Sequence, residues 1–417
     1  MIFEINEKSR NGIKYIFLLL PALYLFKLNI STLIISILPL IFFLLKFNIQ
    51  KNLLPGIYLV FFFYLLAHSI FFKNLNEFYY LRFLFFLLVF VSIIQFNDLK
   101  LFYKYLFLTI LVIFTDVILQ LFLGYNLFGY QKHPDYITSF FDDEKILGSY
   151  AVKMLVLLIF AKLFESEKSK KLQFLFNSSI ISIPLIVFLS GERAALLALI
   201  LLVLYFVFYL YKDQRFRFLY KSSIALFILI LIFLLNSNTY YDRYVNNTIS
   251  SLFDANYSQN KDQLPEEIRS RYKIFFLSAQ HQNYLITSLN IYNQNKIVGS
   301  GPKSFRYACK EKKVNINFYS CGTHPHNYYL QLLSETGIIG FTYFVLIYLY
   351  IIFKSVFNLK NLYFKNKYNF YEITLLGYFF VQFWPINQTA NLFNNYNSIF
   401  ILLPLSIYLS LKRNKTL

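Results

Sequence analysis

Ala194-Ala195-Leu196-Leu197-Ala198-Leu199-Ile200-Leu201-Leu202-Val203-Leu204-Tyr205-Phe206-Val207-Phe208-Tyr209-Leu210-Tyr211 is an uncharged apolar run set between Arg193 and Lys212. An α-helix rises 1.5 Å per residue, so a run of this length covers most of the ~30 Å hydrocarbon core of a bilayer. Comparable runs lie near 13–27, 29–45, 54–72, 78–96, 101–123, 146–164, 174–190, 218–236, 327–353, 370–386 and 393–411. The first two read as spans or as a re-entrant pair. Backbone groups in lipid must be satisfied within the segment, which selects helices over open strands. The alternating ten-residue pattern of a transmembrane barrel is missing. The expected fold is therefore all-α: a polytopic membrane protein of about twelve transmembrane helices with one large periplasmic loop. Residues 1–236 carry the first nine helices, 237–326 the loop, and 327–417 the last three helices.

The composition agrees. Of 417 residues, 57% are hydrophobic and only 15% charged, against about a quarter charged in soluble domains. Mean hydropathy is +0.50. Phe, Tyr, Asn, Lys and Ile are abundant throughout, so no single aromatic cluster is read as a sugar-stacking platform.

A net charge of +19 first suggests nucleic acid, but the distribution argues against it. With the N-terminus placed in the cytoplasm, Lys and Arg crowd the inner loops. Lys162, Lys168, Lys170 and Lys171 form one such group, and Lys212, Arg215, Arg217 and Lys221 another. The short loops of opposite parity hold little beyond Lys27, Lys73, Lys132, Lys145 and Arg193. This is the positive-inside pattern, with both termini cytoplasmic. The charge reports topology, and no nucleic-acid partner is expected. The stretch from Ile13 to Leu28 lacks a small-residue cleavage site and runs into further apolar sequence, so it is not read as a cleaved signal.

Cys309 and Cys321 are the two cysteines, and both fall in the long loop. By the same parity that loop is extracytoplasmic, where disulfides persist. A bridge is the favoured reading. Two free thiols, or a metal site built from Cys321, His324 and His326, are the alternatives, the second weakened by the lack of a matching half-site.

Polar residues at helix ends are costly and so become functional candidates. Arg82, Asp116, Gln120, the run Asp142-Asp143-Glu144, the turn Ser190-Gly191-Glu192-Arg193, His326, Asn387, Gln388 and Asn391 all project to one interface. The most specific stretch is Thr323-His324-Pro325-His326-Asn327, followed by Tyr328 to Gly340. Proline suits a first helical turn, which would put His326 there, neutral and able to accept a proton beside an anion-binding helix end. Glu335, nine residues on, is expected on the opposite face, as a structural partner for an arginine on another span. The plain alternative for His326 is an interfacial helix cap.

These residues resemble the bacterial O-antigen ligases and O-antigen polymerases, which share one fold. His-Pro-His-Asn-x-x-Leu-Gln-x-x-x-Glu-x-Gly-x-x-Gly at 324–340 looks like that family's signature. Tyr80-Leu81-Arg82-Phe83, Phe141-Asp142-Asp143-Glu144 with Gly148-Ser149-Tyr150, Ser190-Gly191-Glu192-Arg193, Gly299 to Arg306, Phe383-Trp384-Pro385 and Phe393-Asn394-Asn395 are similar to its other elements, in order. One departure stands out: where relatives often carry an arginine ahead of the Phe-x-Asp-Glu element, Tyr136 or Ile137 stands here.

The resemblance implies a glycosyltransferase of the bacterial inner membrane that uses a polyprenyl-diphosphate-linked glycan as donor on the periplasmic face. An acceptor sugar hydroxyl, on lipid A core or on another glycan, would displace the diphosphate with inversion. His326 and Arg193 are the catalytic candidates. Arg82, Arg306, His324, His281, Asp143 and Glu144 are candidate substrate contacts. Because the leaving group is already a diphosphate, arginines could carry its charge, and neither metal nor other cofactor is expected. Polymerase activity, joining repeat units, is the nearest rival. A lipid-linked sugar transporter is a more distant one, since no internal repeat links the halves.

Overall fold

The computed structural model describes residues 56–71, 98–142, 144–162, 170–210, 238–254, 265–272, 274–365 and 369–413, with parts of 12–26 and 224–231. Arg82 and Asp143 lie outside the described residues, as do most of the expected first two spans, the span near 78–96 and most of that near 218–236. Among the described residues the fold is all-helical. Its only strand-like pairings are isolated bridges, Tyr125 with Gln131 and His133 with Tyr136.

The principal helices are α1 (Gly56–Phe71), α2 (Asp98–Leu123), α3 (Leu147–Lys162), α4 (Lys170–Leu189), α5 (Arg193–Leu210), α6 (Asn247–Phe253), α7 (Ala279–Gln294), α8 (Tyr328–Lys365), α9 (Phe370–Gln382) and α10 (Asn395–Arg413). The sequence of α3 from Leu147 to Ile159 is apolar apart from Ser149, Tyr150 and Lys153, and nearly every residue of it is buried. A helix hydrophobic all round belongs in the middle of its bundle. It packs there against α2, α4, α5 and α9.

Other helices keep apolar side chains on the outside. Leu108, Leu111, Val112 and Phe122 on α2, and Leu346, Leu349, Phe353 and Val356 on α8, are exposed. Contiguous apolar faces of this kind suit lipid contact rather than water. Two helices, Lys104–Leu123 and Tyr328–Tyr363, are long and apolar enough to cross a membrane, and several shorter apolar helices accompany them. Between α1, α8, α9 and α10 lies an apolar cavity of about 390 Å³, lined by Phe61, Leu65, Phe344, Phe383, Leu392 and Leu405 among others.

One expected span is not continuous. The helix from Tyr328 breaks at Gly337, whose φ of 62° and ψ of −164° are non-helical. A buried half-helix, 328–336, thus precedes the long apolar segment. Breaking a helix frees backbone groups that must find partners. The segment 296–301 supplies them. Ile338 N–H donates to the Lys296 carbonyl at 2.9 Å, Gly301 N–H to the Glu335 carbonyl at 2.7 Å, and Ser300 N–H to the Ser334 carbonyl at 3.2 Å. The Tyr64 hydroxyl of α1 donates to the Thr336 carbonyl at 2.7 Å.

Candidate active site

The segment 124–146 is folded by side chains that the sequence marks as candidates for a polar site. Asp116 accepts from the Leu127 N–H at 2.8 Å and from the Ser139 hydroxyl. Gln120 accepts from Ser139 N–H at 2.7 Å and donates to the Tyr130 carbonyl at 3.2 Å. Both are fully buried, so their polarity is used inside the fold. Glu144 sits exposed on the rim of this segment.

The turn between α4 and α5 is tied to the same segment. Glu192 accepts from the Gly148 and Ser149 N–H groups and so caps the start of α3. Burial lifts its carboxyl to about 7, with those two hydrogen bonds opposing the rise. Arg193 is exposed, and its Nη1 donates to the Asn247 carbonyl at 3.1 Å and the Ser251 hydroxyl at 3.2 Å. It thereby fastens α6 to the bundle. Arg243 Nε donates to the Gly191 carbonyl at 2.9 Å, and its guanidinium lies 5.2 Å from the Tyr136 ring, with Lys145 Nζ at 4.4 Å from the same ring. Burial lowers the Lys145 ammonium, as do Arg243 and Arg193, while Asp135 and Glu192 oppose them. Three cations therefore meet at this turn. Neither Arg243 nor Lys145 is singled out by the sequence motifs, because their convergence on Tyr136 is a property of the folded chain.

Three of the five histidines come together. The rings of His324 and His326 are 4.1 Å apart between centroids, those of His281 and His326 6.1 Å, and Tyr284 lies 5.4 Å from His326. Their placement differs from the expectation in three respects. First, His326 is not in the first turn of its helix. Asn327 is the cap, its Oδ1 accepting from Tyr329 N–H at 2.9 Å and Leu330 N–H at 3.2 Å. His326 stands one residue before that cap with φ of 55°, a left-handed conformation that is costly outside glycine and clusters at functional sites. Its basicity is lowered by burial.

Second, His324 has no ring nitrogen left for a substrate. Its Nε2 lies 3.2 Å from the Thr389 carbonyl, which can only accept, so Nε2 carries the proton. Nδ1 then accepts from the Thr323 hydroxyl at 2.8 Å. Burial, then His326, pulls His324 down to about 3. It braces the site instead of presenting a nitrogen to it. Third, Glu335 is buried, and among the described residues its hydrogen-bond partners are N–H groups of its own helix and of the segment 303–305, with no arginine of another span among them. Its carboxylate accepts from Lys303 N–H at 2.9 Å, Phe305 N–H at 3.2 Å and Gln331 Nε2 at 2.8 Å. Three N–H donors share the charge of this buried carboxylate, and Arg306 favours its ionised form from nearby.

Glu335 thus fixes the segment that carries Arg306. That arginine is half-buried, its Nε without a hydrogen-bond partner among the described residues, and its field reaches His324 and Glu335. Cys309 and Cys321 are joined by a disulfide, Cα atoms 5.2 Å apart, within an apolar cluster that includes Tyr284, Phe305 and Val314. The cross-link holds the chain between Arg306 and the histidines. The turn between α9 and α10 closes the site from below. Asn327 Nδ2 donates to the Pro385 carbonyl at 2.7 Å, Thr389 N–H to the His326 carbonyl at 2.8 Å, and Leu392 N–H to Gln331 Oε1 at 2.9 Å.

His281 opens α7. Ser278 caps that helix, its hydroxyl accepting from His281 N–H, and the same hydroxyl lies 2.8 Å from His281 Nδ1. Burial, then His326 and Arg193, lower His281 to about 3. The arrangement therefore combines neutral imidazoles with a cationic rim, which suits proton transfer beside an anionic group. Among the described residues no group of His, Cys, Asp and Glu is placed to hold a metal ion.

Residues 178–345 match the family model described as O-antigen ligase. The match begins in α4, contains Arg193, His281, Arg306, both cysteines, the histidine pair and Glu335, and ends in α8. A comparison with curated proteins finds no match.

Proposed function

We propose, from the O-antigen ligase domain at residues 178–345, that the chain is an inverting, metal-independent glycosyltransferase. In this reading it moves a glycan from polyprenyl diphosphate to a sugar of the lipid A core. The observation that carries the reading is the setting of His326. It is a half-buried, neutral imidazole at positive φ, directly before a capped helix start, and Arg193 and Arg306 act on its neighbours His281 and His324.

In the proposed step the acceptor hydroxyl oxygen attacks the anomeric carbon from the face opposite the diphosphate. The new C–O bond forms as the bond to the phosphate oxygen breaks, and its electron pair leaves with the diphosphate. The hydroxyl proton passes to His326, a contribution of roughly 10²–10⁴-fold for a positioned base. Arg193 and Arg306, with Arg82, meet the negative charge that grows on the leaving group; guanidinium groups do this with paired N–H donors. The apolar cavity between α1, α8, α9 and α10 reaches Leu392 and Phe393 in the turn beneath the histidines. It is our candidate seat for the polyprenyl chain. The charge pattern of the loops supports twelve spans, cytoplasmic termini and a periplasmic site in the inner membrane.

Deleting the gene and resolving surface polysaccharide on a gel tests the reading. Loss of all capped lipopolysaccharide, with lipid-linked donor accumulating, is the expected outcome. Capping by single repeats would make the chain a polymerase instead, and an unchanged ladder would remove it from this chemistry.

A further inference from the structure

His281 Nε2 is fully buried and has no hydrogen-bond partner among the described residues. A buried polar atom without a partner forfeits its hydration, so its retention beside the candidate base calls for a function. Its other nitrogen, Nδ1, is engaged by the Ser278 hydroxyl at 2.8 Å. The His281 ring stands at 67° to that of His326, with centroids 6.1 Å apart. The residue before the Ser278 cap, Leu277, has φ of 61°. The backbone is thus held in an unfavourable region at the point that sets where α7 begins.

We propose that His281 is the positioning residue for His326: Nδ1–H donates to Ser278 Oγ, and the Nε2 lone pair accepts a hydrogen bond from the His326 imidazolium as it forms. Before transfer, His326 is neutral and Nε2 waits unpartnered. When the acceptor's proton arrives on the His326 ring, that ring gains a second N–H and turns it towards His281. The proton stays on His326 until solvent removes it, and His281 itself remains neutral. Carboxylates orient histidine in other acid–base sites, but Glu335 is committed to the Lys303 and Phe305 N–H groups and to Gln331. A neutral imidazole can take that place here.

Among the described residues the ionisable groups around His281 are Tyr284 on its own helix, His326 and His324 in the segment before α8, Arg193 at the start of α5, and Arg306 beyond His324. All are neutral or cationic at working pH. None rivals His281 as an acceptor for the imidazolium. A neutral acceptor also has an advantage beside a diphosphate, since a carboxylate would repel the leaving group.

The inference rests on the reading of His326 as the base, so the test includes a measurement that does not need turnover. His281→Gln and His281→Leu are made in the full chain and reconstituted in nanodiscs. The His326 ring is titrated by ¹⁵N NMR, and glycan transfer is followed from pH 5 to 9 with lipid-linked donor. Leucine should lower the His326 pKa and reduce kcat at least tenfold, with KM for the donor little changed. It should also carry the acid limb of the rate profile to lower pH with the His326 pKa. Glutamine, which keeps an acceptor oxygen, should restore most of both. An unchanged His326 titration in the leucine variant overturns the proposal, as does equal loss in the two variants or a loss seen only in KM. Should the wild type show no transfer while leucine still shifts the titration, the glycosyltransferase reading fails and the histidine pair stands.

Discussion

Gly299 and Gly337 lie face to face, both at positive φ, 73° and 62° respectively. A Cβ on Gly299 would run into the backbone of Glu335 and Gly337, and one on Gly337 into the backbone of Ile297 and Gly299. This contact joins the loop that carries Arg306 to the break in the helix that follows His326. It keeps the two halves of the site in register.

Alanine at either glycine should therefore be poorly tolerated. The left-handed backbone alone costs an L-residue roughly 1–2 kcal/mol, and overpacking against fixed backbone adds about 1–3 kcal/mol. We expect Gly337→Ala and Gly299→Ala each to lower the melting temperature in detergent well below that of Gly12→Ala, a position with open space around it. Melting curves that match the control would mean that the two segments separate without cost.

The helices were legible in the sequence because apolar runs report burial in lipid or core whatever surrounds them. So was the cysteine pair, from parity alone. The break at Gly337 was not, because the hydropathy of 327–353 stays high across it and the partners that permit it lie some forty residues upstream. The same reason hid the role of Glu335, two of whose three partners are backbone N–H groups that leave no trace in residue type. His324 and His326 were visible as a motif, but their division of labour depends on Thr389, which only the fold brings near. The Asn327 cap had a signal that could have been read: asparagine two residues after a proline, at the start of an apolar run.

That division of labour predicts different mutants. His326→Ala should reduce transfer by about 10²–10⁴-fold with insertion and expression intact. His324→Ala removes a brace 4.1 Å from the His326 ring and should lower both stability and rate. Because burial lowers the His326 pKa, the acid limb of kcat/KM for the wild type should fall below the ordinary histidine value of about 6.5. A limb above that value, or near-normal turnover in His326→Ala, would take His326 out of the mechanism.

Acid should reveal the buried brace through stability as well. His324 is held near 3 when folded, whereas an unfolded histidine takes up its proton near 6.5. Protons therefore bind the unfolded chain first, and the contribution of His324 is present above about 6.5 and lost as pH falls towards 3. Glu192, raised to about 7, works in the opposite sense: its folded form keeps a proton the unfolded chain has lost, which favours folding as pH falls from 7 to about 4.5. The wild-type curve mixes the two with other buried groups, His281 among them, so the informative quantity is the difference from His324→Gln. The penalty of that substitution should be larger at pH 7.5 than at pH 5. A penalty independent of pH would mean that His324 does not stay neutral in the folded site.

Arg193 tests whether arginine carries the leaving-group charge. One edge of its guanidinium is engaged by Asn247 and Ser251, and the group lies close enough to His281 to depress it. If its guanidinium clamps the diphosphate, Arg193→Lys should lose most activity, because a lysine is a point charge without the planar fork. If Arg193 only fastens α6 to the bundle, lysine should keep much of the rate while lowering the melting temperature. We expect the first outcome, with the loss in kcat exceeding any change in stability. Chelator added to the same wild-type assay should leave turnover unchanged. Inhibition by chelator that a divalent ion reverses would show that a metal meets the phosphate charge, and the guanidinium groups would then be left with an anchoring role.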